Sequence, residues 1–84
     1  MTRLYRPAQP IEATIGDEGE PLAFEWRGQV HRVLHLSNRW RIHLEWWRVE
    51  LWREYFQVEV QGRLTCVIYR DLLTERWYLE RIYD

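Results

Sequence analysis

The segment WRIHLEWWRVELWREYFQVEV, residues 40–60, decides the fold of this 84-residue chain, because it fits two different secondary structures. Apolar residues recur in it at steps of four, three, three and four, which is the spacing of one helical face; they are Ile42, Trp46, Val49, Trp52 and Phe56. Trp, Ile, Val and Tyr, however, are middling helix formers and good strand formers. The segment therefore predicts extended structure, with one short helix near residues 40–51 as the alternative.

Other parts of the chain alternate apolar and polar residues with the period of two that indicates half-buried strands. Around Gln61-Gly62-Arg63, two such runs flank a short turn and predict a hairpin. Gly28 divides another run, which predicts either two strands or one strand bent at this glycine. The alternating runs are IEATI (11–15), LAFEWR (22–27), QVHRVLHL (29–36), YFQVEV (55–60), LTCVIYR (64–70) and WYLERIY (77–83).

These patterns predict an all-β protein, or a β-rich α+β protein if the short helix forms. Five to six short strands joined by tight turns are typical of a small antiparallel barrel or sandwich. A chain of 84 residues makes one domain, and we assign residues 10–84 to it. Residues 1–9 carry an early proline and no periodic pattern, which predicts a flexible N-terminal tail.

Charge and cysteine content narrow the class of protein. The net charge is −1 and all twelve basic residues are Arg, whereas strong nucleic-acid binders are usually basic overall. Cys66 is the single cysteine, so no internal disulfide can form and a reducing, cytoplasmic location is expected. The N-terminus lacks the apolar centre of a signal peptide, and no run of about 18 apolar residues predicts a membrane span.

The residues that could carry chemistry do not form a catalytic or metal-binding pattern. His31 and His35 share a strand face but lie roughly 13 Å apart at the rise of a strand, too far for one metal ion. Ser37 has no glycine-rich elbow around it, and Cys66 lies among apolar neighbours, where a thiol is usually inert. We therefore expect no enzyme activity, no cofactor and no bound metal.

Adjacent aromatic residues indicate a binding surface, because neighbours along a strand point to opposite sides of a sheet. Trp77 and Tyr78 form such a pair, so one of them lies outside the core unless a twisted sheet or a second copy covers both. Trp, Tyr and Arg are also the residues most enriched at protein interface hot spots. The expected aromatic–arginine face consists of Trp46, Trp47, Arg48, Trp52, Arg53 and Tyr55.

Two kinds of partner suit such a face. The first is a protein partner or a second copy of the chain, held by a non-catalytic interaction module. The alternative is single-stranded nucleic acid, whose bases stack on aromatic side chains. Because the net charge is −1, the alternative requires Arg39, Arg41, Arg48 and Arg53 to converge in space. The protein partner is therefore favoured.

Several short motifs resemble a family of small bacterial domains of unknown function. They are WRGQVHRV (26–33), RW (39–40), the Trp pair at 46–47, REYFQVEVQG (53–62), IYRD (68–71) and WYLERIYD (77–84). The pattern is also similar to the extreme C-terminal module of ImuB, the catalytically inactive, Y-family-polymerase-like protein of the bacterial mutasome. This resemblance covers about residues 21–84. It implies an accessory module in DNA-damage tolerance that holds a protein partner, and it carries over no active-site residue.

Overall fold

A computed structural model describes residues 2–83, which form six β-strands and no helix. Within that range, no helix is therefore long and apolar enough to cross a membrane. The turn predicted around Gly62 joins two consecutive strands, and at Gly28 the structure has two strands joined by a turn rather than one bent strand. The strands are β1 (Thr2–Ile15), β2 (Pro21–Trp26), β3 (Gln29–Trp46), β4 (Val49–Val60), β5 (Leu64–Asp71) and β6 (Trp77–Tyr83).

The six strands follow one another in sequence order within one sheet. Each pairs antiparallel with its neighbours, and β1 also pairs with β6, so that the sheet closes into a ring. Of the two predicted architectures, this closure corresponds to the barrel rather than the sandwich. The prediction of an all-β fold with five to six antiparallel strands is confirmed, and β1 and β3, at 14 and 18 residues, are longer than the short strands expected.

The core fills the inside of the ring. Phe56 and Val58 of β4 point inward, and Ile68 and Leu79 from the next two strands pack in the same cluster. Phe56 stacks on Trp77 with ring centroids 5.2 Å apart. Because alternate residues of a strand point to opposite sides, the side chains that alternate with these core residues lie on the outside of the ring.

The N-terminal segment does not match the predicted flexible tail. Residues 2–9 belong to β1, and Leu4 stands opposite Arg81 of β6. The pairing is interrupted after Leu4 and resumes at Gln9, which stands opposite Leu79. This interruption explains why the segment has no regular alternation in sequence, even though both of its ends are paired.

The short helix considered near residues 40–51 does not form. β3 continues to Trp46, and β4 begins at Val49 after a two-residue turn. Ile42 shares a face of this hairpin with Trp46 and Val49, because antiparallel partners lie on the same side of a sheet. Trp52 lies on the other face. The helix-like spacing therefore combined residues from both faces of a hairpin.

β3 and β4 extend beyond the ring as a two-stranded arm, which comprises residues 43–52. β4 pairs with β5 only from Arg53 onward, and β3 pairs with β2 only up to Arg32. Within the arm, the two strands pair with each other. The molecule is accordingly elongated, with extents of 42 × 31 × 23 Å. Since an isolated two-stranded hairpin is marginally stable in water, the arm depends on the ring that holds its base.

Candidate functional site

The arm has an apolar face that is open to solvent. Leu44 stands opposite Leu51 and Trp46 opposite Val49, so the four side chains share one side of the hairpin. Leu44, Val49 and Trp46 are 59%, 68% and 74% exposed, respectively. Contiguous exposed apolar patches with polar surroundings mark interaction sites. This face is the candidate functional site.

The turn at the end of the arm is formed by Trp47 and Arg48. Trp47 has φ 59° and is 88% exposed, and it contacts Trp46 edge-on with ring centroids 6.4 Å apart. Two-residue hairpin turns favour Gly, Asn or Asp where φ is positive, because a bulky side chain is strained there. Such strain is common at functional sites. Trp47 is therefore an unusual residue for a hairpin turn, and its indole is exposed at the end of the arm.

Replacement of Trp47 by Gly should leave the free energy of unfolding unchanged or raise it by about 1 kcal/mol, because Gly adopts positive φ without strain. The exposed indole loses little packing in the free protein. Gly28→Ala is a matched control, since Gly28 has φ 77° in another hairpin turn and should lose about 1 kcal/mol. Urea denaturation measures both. A large loss for Trp47→Gly would show that the indole supports the fold.

The opposite face of the arm is charged. His43 Nε2 lies 2.8 Å from Glu50 Oε2, and Glu45 stands directly opposite Glu50. Trp52 packs against the His43 ring with centroids 5.2 Å apart. The ligand atoms of His43, Glu45 and Glu50 lie within 4.8 Å of one another and are exposed, a grouping that also occurs without a metal ion. The arm is therefore amphipathic, with one apolar and one charged face.

A buried carboxylate fixes the base of the arm. Glu54 is 5% exposed, and its Oε2 accepts hydrogen bonds from Arg39 Nε at 2.9 Å and Arg41 Nε at 3.1 Å. Burial alone would raise the pKa of Glu54, but the two arginines outweigh burial and hold the pKa below its ordinary value of 4.5. Arg39 also donates to the carbonyl of Glu18, 3.0 Å away. These contacts connect β3 and β4 at the base of the arm with each other and with the β1–β2 turn.

An aromatic row crosses the outside of the ring next to the arm. It consists of Trp40, Tyr55, Tyr69 and Tyr78, whose successive ring centroids lie 5.3, 5.1 and 5.2 Å apart. The guanidinium carbon of Arg53 lies 4.4 Å from the centroid of Tyr69. Burial raises the pKa of Tyr55 and Tyr69, so both phenols stay neutral. The row extends the apolar side of the arm onto the ring.

The residues predicted for an aromatic–arginine face lie on the arm and at its base, but they do not share one face. Trp46 belongs to the apolar face, and the next two residues form the turn. Arg53 and Tyr55 continue the apolar side toward the ring, where Tyr55 is buried in the aromatic row. Trp52 lies on the charged face beside His43.

Three residues of the apolar face were missed from the sequence: Leu44, Val49 and Leu51. On either side of the turn, the apolar residues alternate with polar ones at a period of two, and this pattern could have identified them from the sequence. The signal was obscured because Trp47 and Arg48 are not typical turn residues. The boundary between the two strands was therefore not visible.

The arginines required for nucleic-acid binding do not converge. Arg39 and Arg41 both bind the carboxylate of Glu54 on the charged side of the hairpin. Arg53 lies on the opposite side, and Arg48 is at the far end of the arm. Carboxylates are interspersed with these cations, so the arm does not form a continuous basic strip.

Cys66 is in the core and offers no nucleophile. Its side chain packs among the inward-facing residues of the ring. Burial raises the pKa of the thiol to about 11. The thiolate is the reactive form of cysteine, so the side chain stays neutral and unreactive near neutral pH.

The fold and the site together define a class of protein, namely a closed six-stranded antiparallel sheet with a projecting amphipathic arm. Comparison with protein-family models, curated proteins and solved structures finds no match to this chain. The resemblance to the small bacterial domain family remains a prediction. Function is therefore inferred from the geometry of the arm.

Proposed function

We propose that this protein is a non-catalytic interaction module that binds a protein partner, or a second copy of itself, through the apolar face of the arm. The observation that supports this proposal is the exposure of Leu44, Trp46 and Val49 on a projecting two-stranded ribbon. A partner that covers these side chains removes apolar surface from water, which is the main driving force of protein association. Trp47 and Arg48 would contact the same partner at the end of the arm.

The geometry favours a protein over single-stranded nucleic acid. Bases bind by stacking on free aromatic faces beside cationic groups. The rings of Trp40 and Tyr55 instead stack on each other at an interplanar angle of 6°, and Tyr55 is buried. Arg39 and Arg41, at the base of the arm, are engaged with Glu54. Nucleic-acid binding is accordingly the alternative that a crosslinking experiment must exclude.

The resemblance to the C-terminal module of ImuB supports the same proposal, because such a module would act by holding a protein partner. On this basis the proposal includes an accessory role in DNA-damage tolerance, in the cytoplasm. The core position of Cys66 agrees with a role that requires no nucleophile. The proposal needs no cofactor.

Photo-crosslinking in living cells tests the proposal. Trp47 is replaced by the photoreactive residue p-benzoylphenylalanine, and irradiation is expected to join the arm to a protein. Arg63 provides a matched control position, since it is exposed, lies in the β4–β5 turn and has φ 63°. The substitution Leu44→Glu should abolish the adduct by placing a charge on the apolar face.

The mass and nuclease sensitivity of the adduct decide between the outcomes. A protein adduct from position 47, absent from position 63 and lost with Leu44→Glu, supports the proposal. A nuclease-sensitive adduct would instead support the nucleic-acid alternative. Equal adducts from both positions, or none from position 47, would contradict the proposed role of the arm.

A further inference from the structure

β3 has an open backbone edge along the arm. The carbonyl of Trp52 accepts a hydrogen bond from the Leu72 amide at 2.9 Å, so the backbone of Trp52 points away from β3. Its partner His43 must then point away from β4, because antiparallel pairs alternate between hydrogen-bonded and non-hydrogen-bonded positions. By the same alternation, Arg41 and Glu45 also point outward. Within residues 2–83, no backbone partner occupies this edge.

We infer that the partner of the arm is a second copy of this chain, bound by antiparallel pairing of the two β3 edges about a two-fold axis at His43. This inference rests on the proposed function, because it uses the same arm. The edge pairing places the apolar faces of the two arms side by side on one side of the resulting ribbon, rather than one on top of the other. Open edge strands readily accept another strand, and a two-fold axis makes the interface isologous. Pairing joins the two arms into a four-stranded ribbon and gives the open amides and carbonyls partners.

The sequence of β3 is complementary to itself in this register. Three pairs of residues that flank the two-fold axis match in chemistry: one pair has opposite charges, one is aliphatic and one is aromatic. Such cross-strand pairs stabilise a sheet, whereas like charges placed opposite each other destabilise it. The opposed residues are Arg41 with the partner's Glu45, Ile42 with the partner's Leu44, and Trp40 with the partner's Trp46.

The register also brings the end of the arm to an acidic turn. The β1–β2 turn carries Asp17, Glu18 and Glu20, and it contacts Arg39 through the carbonyl of Glu18. When the strands pair about residue 43, residue 47 of one copy falls opposite residue 39 of the other. Arg48 then lies close to the carboxylates of the partner's turn. Charge complementarity therefore supports a second copy as the occupant.

The substitution His43→Pro tests the open edge directly. The His43 amide points outward, so proline removes the central intermolecular hydrogen bonds and leaves the β3–β4 ladder intact. His43→Ala is the matched control, because it also loses the imidazole but keeps the amide. Sedimentation velocity should show a dimer of twice the 10.5 kDa chain mass for wild type and His43→Ala. His43→Pro should raise the dimer dissociation constant roughly tenfold to a hundredfold.

The charge pair gives a second test that does not alter the backbone. Glu45→Arg places an arginine opposite the partner's Arg41, so this variant should be monomeric at concentrations where wild type dimerises. Arg41→Glu should behave in the same way. An equal mixture of the two variants should form a heterodimer, because both pairs then have opposite charges. Circular dichroism verifies that each variant is folded.

The outcomes separate this inference from the proposed function. A wild-type monomer at about 1 mM would overturn the inference, since even weak association is visible there. A dimer that His43→Pro and Glu45→Arg leave unchanged would also overturn it. If position 47 nevertheless crosslinks to a different protein, the proposed function stands without self-pairing. If position 47 crosslinks to no protein, both proposals fail.

Discussion

Phe56→Ala is expected to lower the free energy of unfolding by about 3–5 kcal/mol, the largest effect of any substitution proposed for this protein. Phe56 is 0% exposed and stacks on Trp77 in the centre of the core. Truncation leaves a cavity that neighbouring strands of a closed ring cannot easily fill. A domain of this length has a total stability of roughly 4–13 kcal/mol, so the variant loses a large share of it and is unfolded without denaturant only if the wild-type stability lies at the lower end of that range.

Urea denaturation followed by Trp fluorescence measures this loss. Leu44→Ala is the matched control, because it removes an apolar side chain that is exposed on the arm. Its effect should stay within about 0.5 kcal/mol, as for most surface substitutions. A small loss for Phe56→Ala, or equal losses for both variants, would mean that the core does not lie inside the ring.

Glu54→Gln should lower the free energy of unfolding by about 1–3 kcal/mol at neutral pH, because Arg39 and Arg41 lose their shared carboxylate. The loss is smaller than for a fully buried ion pair, since the side chain of Arg41 is 60% exposed and water screens it. Denaturation of both proteins in urea gives the difference. Equal stabilities would show that the ion pairs contribute nothing at the base of the arm.

The stabilisation by Glu54 should depend on pH in a defined direction. The pKa of Glu54 is lower in the folded chain than its ordinary value of 4.5, so folding favours the charged form. Its contribution is present above pH 4.5 and is lost as the pH falls through the folded pKa. The stability difference between wild type and Glu54→Gln should therefore shrink in acid. A difference that stays constant or grows in acid would contradict the assigned ion pairs.

The strands around the Gln61–Arg63 turn were predictable because alternation and turn chemistry agree there. Gly62 has φ 97°, which only glycine adopts without strain, and the flanking runs alternate regularly. The break at Gly28, with φ 77°, has the same origin. Where the local sequence and the turn residue indicate the same structure, the period-two pattern is sufficient to predict the strands.

Two irregularities in β3 explain why strict alternation assigns some of its residues to the wrong side of the sheet. The pairing of β3 with β4 shifts between Val33 and His35 and again between Leu36 and Asn38. Each shift reverses the side to which the following residues point. Leu34, which strict alternation would place on the same side as Leu36, is consequently exposed, and residues 37–39 continue the strand. A strict alternation rule cannot show such shifts.

The candidate site was only partly predictable for a similar reason. Trp46 and Trp47 stand out by residue type alone, but their faces depend on a turn that contains no glycine. The ion pairs of Glu54 and the contact of His43 with Glu50 depend on cross-strand register. Register follows from the closure of the whole ring, which a local pattern does not contain.

The central claim is that an extended arm presents one apolar face. A nuclear Overhauser contact between the α protons of His43 and Trp52 tests this claim most directly. These residues form a non-hydrogen-bonded pair, in which the two α carbons approach to about 4.5 Å. We predict a strong contact between their α protons. Contacts between residues three apart, typical of a helix, or a cross-strand contact shifted by one residue would contradict the account. A shift of that kind would place the apolar residues of β4 on the opposite side of the arm from those of β3 and remove the basis for both proposals.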